Sequence, residues 1–305
     1  MRLRSRVALR SACCAAGLLW VAAATFAVAG DDKVAMKPTG KGWGKPEING
    51  ASAAKQPKGH ETNGISLHGG PVMLGTTHVY YIWYGDWGGN TAPAILTDLA
   101  GNLASPYFNI NSTYYNSAFA HVSNSVSFGG ATSDNYSRGK SLSDAQILAV
   151  VSSAISTGAL PKDASGVYFV LTSADVTASS GFCTQYCGWH THATIGGTDI
   201  KYSFVGNPDR CINACAQQST GPNGNAGADG MASIIAHELE EAVTDPDLNA
   251  WYDSRGYENA DKCAWTFGNT YSVGGALANM KLGSRHYLIQ RNWVNATGGY
   301  CAVSY

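Results

Sequence analysis

Apolar residues along this chain change their period several times. HVYYIWYG, His78 to Gly85, is a run of aromatic and β-branched residues that predicts a buried strand. PAILTDLAGNLA, Pro93 to Ala104, then spaces its apolar residues three and four apart, as a helix does, with Thr91 as its N-cap. SLSDAQILAVVSSAIS predicts a second helix, begun by Ser143 with Gln146 as capping-box partner and turning Ile147, Leu148, Val150 and Val151 inward. GVYFVLTS (Gly166 to Ser173) and KYSFVG read as further strands, with the cysteine-bearing stretches GFCTQYCGWHTHAT and DRCINAC as loops. After the turn GPNGNAGADG, Asp229 is expected to cap a helix from Gly230 to Thr244, GMASIIAHELEEAVT, which Asp245-Pro246 stops. Strands alternating with helices predict an α+β domain: a mixed sheet flanked by helices and braced by disulfide-stabilised loops.

The first 64 residues do not share this pattern. Arg2, Arg4, Arg6 and Arg10 precede an uncharged stretch from Ser11 through LLWVAAATF to the small residues AVA before Gly30. That order predicts a signal peptide over residues 1–29. Residues 30–64 are rich in Lys, Gly and Pro without apolar period, and predict a flexible leader ahead of one domain at 65–305. No later run approaches the roughly 20 apolar residues of a membrane span, so the mature chain is expected to be secreted, to the extracellular space, periplasm or cell wall, with no integral membrane segment.

Export changes how the cysteines are read. Cys183, Cys187, Cys211, Cys215, Cys263 and Cys301 remain after the signal, an even set in an oxidising compartment. Sequence proximity suggests Cys183 with Cys187, Cys211 with Cys215, and Cys263 with Cys301, among the connectivities that counting leaves open. Charged residues make up 13% of the chain against the usual ~25%, and the formal net charge is -1. Such a balance gives no electrostatic footprint for nucleic acid.

Candidate chemistry concentrates in HELEEAVTDPDLNAWYDSRGYENADKCAW, His237 to Trp265. His237 and Glu241 lie four apart, on one helical face, with Glu238 beside them. In an HExxH site two histidines hold zinc and the glutamate between them is general base; here Glu241 stands in the second histidine's place. HELxxAVTD resembles the active-site helix of thermolysin-like zinc peptidases. That resemblance implies a zincin-like helix, a third ligand at Glu258 with Asp261 as orienter or alternative ligand, and His286 as a downstream donor to the transition state. The ion implied is Zn²⁺, with Mn²⁺ or Ca²⁺ favoured by the extra carboxylate. An acidic solvated helix face is the competing account of the same residues. DPDLNAWYD spaces its acids like a calcium loop but lacks the required glycine, Ala250 taking its place, and CGWHTH suits disulfides better than a zinc knot. Asn111, Asn135 and Asn295 open glycan-acceptor triplets.

GGPVMLGTTHVYYIWYGDW, YSRGKSLSDAQI, VYFVLTSADV, GFCTQYCGWH, FVGNPDRCINAC, ADGMASIIAHELEEAVTDP and ENADKCAW are similar, block by block, to the EXORDIUM-like, phosphate-induced-protein family. The resemblance implies a secreted, wall-associated protein. Two functions are therefore carried forward. One is a metal-dependent, peptidase-like hydrolase acting on an extracellular peptide or protein, with His237, Glu241, Glu258 and Asp261 at the metal and Glu238 and His286 catalytic. The other is a non-catalytic protein contacting cell-wall polysaccharide.

Overall fold

A computed structural model describes residues 36–43 and 64–305. The signal peptide and most of the leader lie outside the described residues. The central sheet has six strands: β1 (Lys41–Trp43), β2 (Thr77–Tyr84), β3 (Val126–Asp134), β4 (Gly166–Thr172), β5 (Tyr186–Ile195) and β6 (Thr198–Gly206). Their order is β1-β5-β6-β4-β2-β3. β3, β2, β4 and β6 run parallel, whereas β5 is antiparallel to both β6 and β1. β4 is buried along its whole length and β2 along all but His78, as strands covered on both faces must be. The fold is thus mixed α/β with a mixed sheet. Two of its parallel connections, β2 to β3 and β3 to β4, are helical crossovers, which the α+β expectation did not include, while β4 reaches β6 by way of β5.

Helix α1 (Ala92–Asn102) follows β2 and packs on α4, the helix Ala226–Thr244. Helix α2 (Asp144–Ser156) follows β3 and packs on β4 and β6. The capping box at its start is formed as expected, Ser143 accepting from the Gln146 backbone while the Gln146 side chain accepts from the Ser143 N–H. Thr91 occupies the cap position of α1 without a side-chain cap bond; the Asn90 Oδ1 accepts from Ala92 N–H instead.

Two expectations about the bounds and type of elements need correction. Helix α4 begins at Ala226, not Gly230, because Asn225 Oδ1 accepts from the Ala228 N–H; Asp229 is already inside the first turn and takes hydrogen bonds from Asn223. Gly227 belongs to the helix for a packing reason, since a Cβ there would stand 2.2 Å from Asn207 Oδ1. The segment CGWHTHAT, read as loop, is most of β5, which pairs with β6 from Gly188↔Val205 to Ile195↔Thr198.

The disulfides join Cys183 to Cys211, Cys187 to Cys215 and Cys263 to Cys301. The third is the expected pair; the first two overturn closure within each CxxxC. Cys215 ends α3, the short helix Ile212–Cys215, and Cys211 caps it. Four residues apart on one turn, their side chains point the same way rather than at each other, toward Cys183 and Cys187 at the head of β5. Both bridges therefore fasten β5 to α3, and α3 also packs on α4.

Candidate metal centre

Helix α4 is buried around its whole circumference from Gly227 onward, so its polar residues face protein on every side. His237, Glu238, Glu240 and Glu241 are all within 4% of full burial, which removes the solvated-face account of HELEE. One side of the helix packs on β5. Gly188 allows that approach, because a Cβ there would lie 2.5 Å from Ile234 Cγ2 and 3.0 Å from Glu238 Oε1. Two residues on, His190 presents the same strand face to the helix.

The result is a knot of six titratable groups. Glu241 stands at its centre: Oε1 lies 3.1 Å from His237 Nε2, and Oε2 lies 3.4 Å from His190 Nδ1. Asp261 Oδ1 is 3.6 Å from His237 Nε2, and its backbone N–H donates to Glu241 Oε1 at 3.0 Å. Glu238 Oε2 is 3.5 Å from His190 Nδ1, and Glu258 Oε1 is 3.5 Å from the same ring's Nε2. Among the described residues, every ion-pair partner of these six is another of the six.

The separations are informative. Most exceed the ~2.7–3.2 Å of an N–H···O hydrogen bond, and both ring nitrogens of His190 and of His237, with Glu238 Oε2, Glu258 Oε1 and Asp261 Oδ1, are buried without a hydrogen-bond partner. Buried polar atoms are almost always paired, so such a group in one place calls for something to accept their lone pairs. Two triads, His237–Glu241–Asp261 and His190–Glu238–Glu241, bring one ligand atom per residue to within 4.8 Å of each other.

Burial alone would push the His237 and His190 imidazoles down, but the surrounding carboxylates outweigh it, holding His190 at about 10 and His237 well above its ordinary value. Burial pushes Glu238 up to about 7 and Asp261 to about 6, with the Glu241 charge adding to both. Burial and then the charges of Glu241, Asp245 and Asp261 drive Glu258 far up. Glu241 is held down near 2 because the two imidazoles overcome its desolvation. Four carboxylates thus crowd two imidazoles, and the charge of each group depends on that of its neighbours.

Of the sequence candidates, His237, Glu238, Glu241, Glu258 and Asp261 all meet here. His286 does not join them by any hydrogen bond or ion pair; it sits in the hairpin strand Arg285–Tyr287, where Nδ1 is 2.9 Å from the Tyr271 hydroxyl. His190 is the site residue that sequence reasoning missed as a partner of the helix. Its signal was CGWHTHAT itself: the alternation that puts Gly188, His190 and His192 on one face of a strand. His192, Asp199 and Asp247 form a separate group around the Lys201 ammonium, which supplies its cation. Asp245 caps the turn beyond α4 by accepting from the Asn249 and Ala250 N–H groups, and Asn111 is fully buried, so Asn111 offers no glycan-acceptor site.

Comparison with known proteins bears on the whole domain. Residues 65–290 match the family model described as the phosphate-induced protein 1 conserved region. The chain is 31% identical to Protein EXORDIUM-like 3 of Arabidopsis thaliana, over 84% of this chain and 89% of that protein. It is 32% identical to Protein EXORDIUM-like 5 of the same plant, over 75% of each, and 31% identical to Protein PHOSPHATE-INDUCED 1 of Nicotiana tabacum, over 62% of this chain and 67% of that protein. No solved structure matches. The three disulfides and these relatives fit an extracellular protein, and no helix among the described residues is long and apolar enough to cross a membrane. The chain belongs to the phosphate-induced protein 1 family, with the EXORDIUM-like proteins as its curated relatives.

Proposed function

We propose that this secreted protein carries a divalent metal ion in the α4–β5 knot and uses it for peptidase-like hydrolysis. The observation that carries the reading is the convergence of unpartnered, buried nitrogen and oxygen atoms on Glu241. Ligands around a tetrahedral ion at bond lengths of ~2.0–2.1 Å stand about 3.3–3.4 Å apart. The pairs His237–Glu241, His190–Glu241 and His237–Asp261, at 3.1, 3.4 and 3.6 Å, bracket that spacing. His237, Glu241 and Asp261 hold the ion; His190 supplies a further ligand or orients Glu241, and Glu258 orients His190 or adds a ligand. Mixed imidazole and carboxylate donors suit Zn²⁺ or Mn²⁺ better than an all-oxygen ion such as Ca²⁺.

Glu238 is the general base in this reading. It adjoins His237 on the helix, its Oε2 is buried without a hydrogen-bond partner, and burial raises its carboxyl, so it would take a proton from water held at a bound ion. The chemistry a divalent ion would supply at His237, Glu241 and Asp261 is polarisation of a water and of the scissile carbonyl. His286 lies outside the knot and has no part in this arrangement.

The test is metal content by mass spectrometry of protein purified without chelator, beside His237→Ala, Glu241→Ala and Glu238→Gln, together with hydrolysis of a peptide library. About one ion per chain in wild type and Glu238→Gln, lost from the other two, with cleavage lost from all three, is the expected result. An ion-free wild type overturns the metal site; an ion with no cleavage of any peptide overturns the hydrolase.

A second reading has its own observation. Ile65, Leu67, Tyr115, Phe119, Trp251 and Asn295 line, with neighbouring polar residues, a groove of about 680 Å³. Phe119 is 73% exposed, held out at φ 59 by a turn that Asn116 pins through the Ala118 and Ala120 N–H groups, and it stacks on Tyr115. An exposed aromatic platform bordered by amides and hydroxyls suits a neutral sugar chain. Retention on insoluble cell-wall glycan, lost in Phe119→Ala and kept in Glu238→Gln, supports this reading; equal retention of both variants overturns it.

A further inference from the structure

The described part of the leader lies against the knot. Strand β1 pairs with β5 through Lys41↔Trp189 and Trp43↔Tyr186, so without it β5 would be the edge of the sheet. Between the leader and the site lies one residue: the Gly40 carbonyl accepts from the His190 N–H at 2.8 Å. Gly40 holds φ at +66, and a Cβ there would stand 2.0 Å from the His190 carbonyl oxygen, so the contact admits glycine alone. Further along, the Met36 N–H donates to the Ser254 carbonyl across the segment that leads to Glu258. The Lys41 ammonium sits 3.1 Å from Asp144 Oδ2 and 5.0 Å from the centre of the Tyr186 ring.

Residues 36–43, MKPTGKGW, are poor strand formers: one proline and two glycines in eight residues. They are held by the surface they occupy rather than by their own preference. That surface has the parts of an extended-peptide site, namely a strand edge that pairs through its backbone and the Asp144 carboxylate beside the Tyr186 ring for one basic side chain.

We propose that the β5 edge is a docking site for extended peptides with a basic residue opposite Asp144, and that residues 36–43 occupy it in cis as a removable strap over the His190 knot. The inference rests on the metal-hydrolase reading and names its substrate class: a strand-like peptide aligned antiparallel to β5, its backbone one residue from a metal-site side chain. The leader then keeps the site closed until it is displaced.

The experiment uses the full chain with Gly40→Val, which crowds the His190 carbonyl while replacing no residue of the domain. Amide hydrogen exchange at His190 is expected to rise about tenfold or more, and removal of the resident metal by chelator to accelerate with it. Synthetic MKPTGKGW added to the variant should restore protection, and the same peptide with Lys41→Glu should not. Unchanged protection in Gly40→Val, or equal rescue by both peptides, overturns the proposal. If the metal reading alone is wrong, neither protein contains an ion, and the exchange and peptide measurements still decide the docking site.

Discussion

Glu241 reaches two histidines with its two oxygens, and His190 is the one that comes from outside its own helix, 3.4 Å away on strand β5. Helical spacing sets His237 beside Glu241 on one face, while the His190 contact exists only because β5 and α4 pack together. Removing His190 should therefore weaken the site without touching the HELEE motif. His190→Ala is expected to lower metal affinity by about 10- to 100-fold with the fold retained, measured by titration of the stripped protein; wild-type affinity would place His190 outside the site.

Gly188 sets the distance between strand and helix. Gly188→Ala puts a methyl 2.5 Å from Ile234 Cγ2 and should destabilise by about 1–3 kcal/mol while spreading β5 from α4. Chemical denaturation and metal content, taken together, check it. A loss of stability at unchanged metal content would separate packing from the site.

Disulfides Cys183–Cys211 and Cys187–Cys215 each close a separation of 28 residues and fasten the strand that carries His190. Cys187→Ala with Cys215→Ala is expected to cost about 3–4 kcal/mol through the unfolded chain's regained entropy. Peptide mapping under non-reducing conditions provides the direct check on connectivity: recovery of Cys183 joined to Cys187 would refute the crossed pairing.

Asp163 supplies a pH-dependent contribution far from the knot. Desolvation would raise its carboxyl, but hydrogen bonds from His78, the Ser165 N–H and the Tyr80 hydroxyl overcome this and hold it below its ordinary value. A depressed carboxyl stabilises the fold above its unfolded value near 3.9, and that stabilisation disappears as pH falls through the folded value. Asp163→Asn should therefore cost about 1–2 kcal/mol near neutral pH, and the difference should close below about pH 4. A gap that stayed constant with pH would mean that packing, not charge, is what the variant loses.

Asn225 tests the revised start of α4. Asn225→Ala removes the acceptor for the Ala228 N–H and is expected to cost about 1 kcal/mol, read as a lower denaturation midpoint. An equal effect from Asp229→Ala alone, with Asn225→Ala silent, would return the cap to Asp229.

Within the sequence, most features carried by spacing inside one element were legible, the caps of α1 and α4 excepted. The pair His237 and Glu241 on one helical face, the Ser143–Gln146 capping box, the buried strands 77–84 and 166–172 and the even set of six cysteines all follow from local periodicity or composition. Features that join elements were not. Whether GWHTH is loop or strand depends on its pairing with β6, and that pairing decides that His190 faces α4. Which cysteine meets which depends on where α3 lands against β5, and the leader's place depends on a strand edge that its own residues do not announce. Local periodicity is encoded in rotations of one backbone, 100° or 180° per residue. Contacts between elements are chosen instead by register and packing over the whole chain, where a shift of one residue would turn His190 away from Glu241 and dissolve the site.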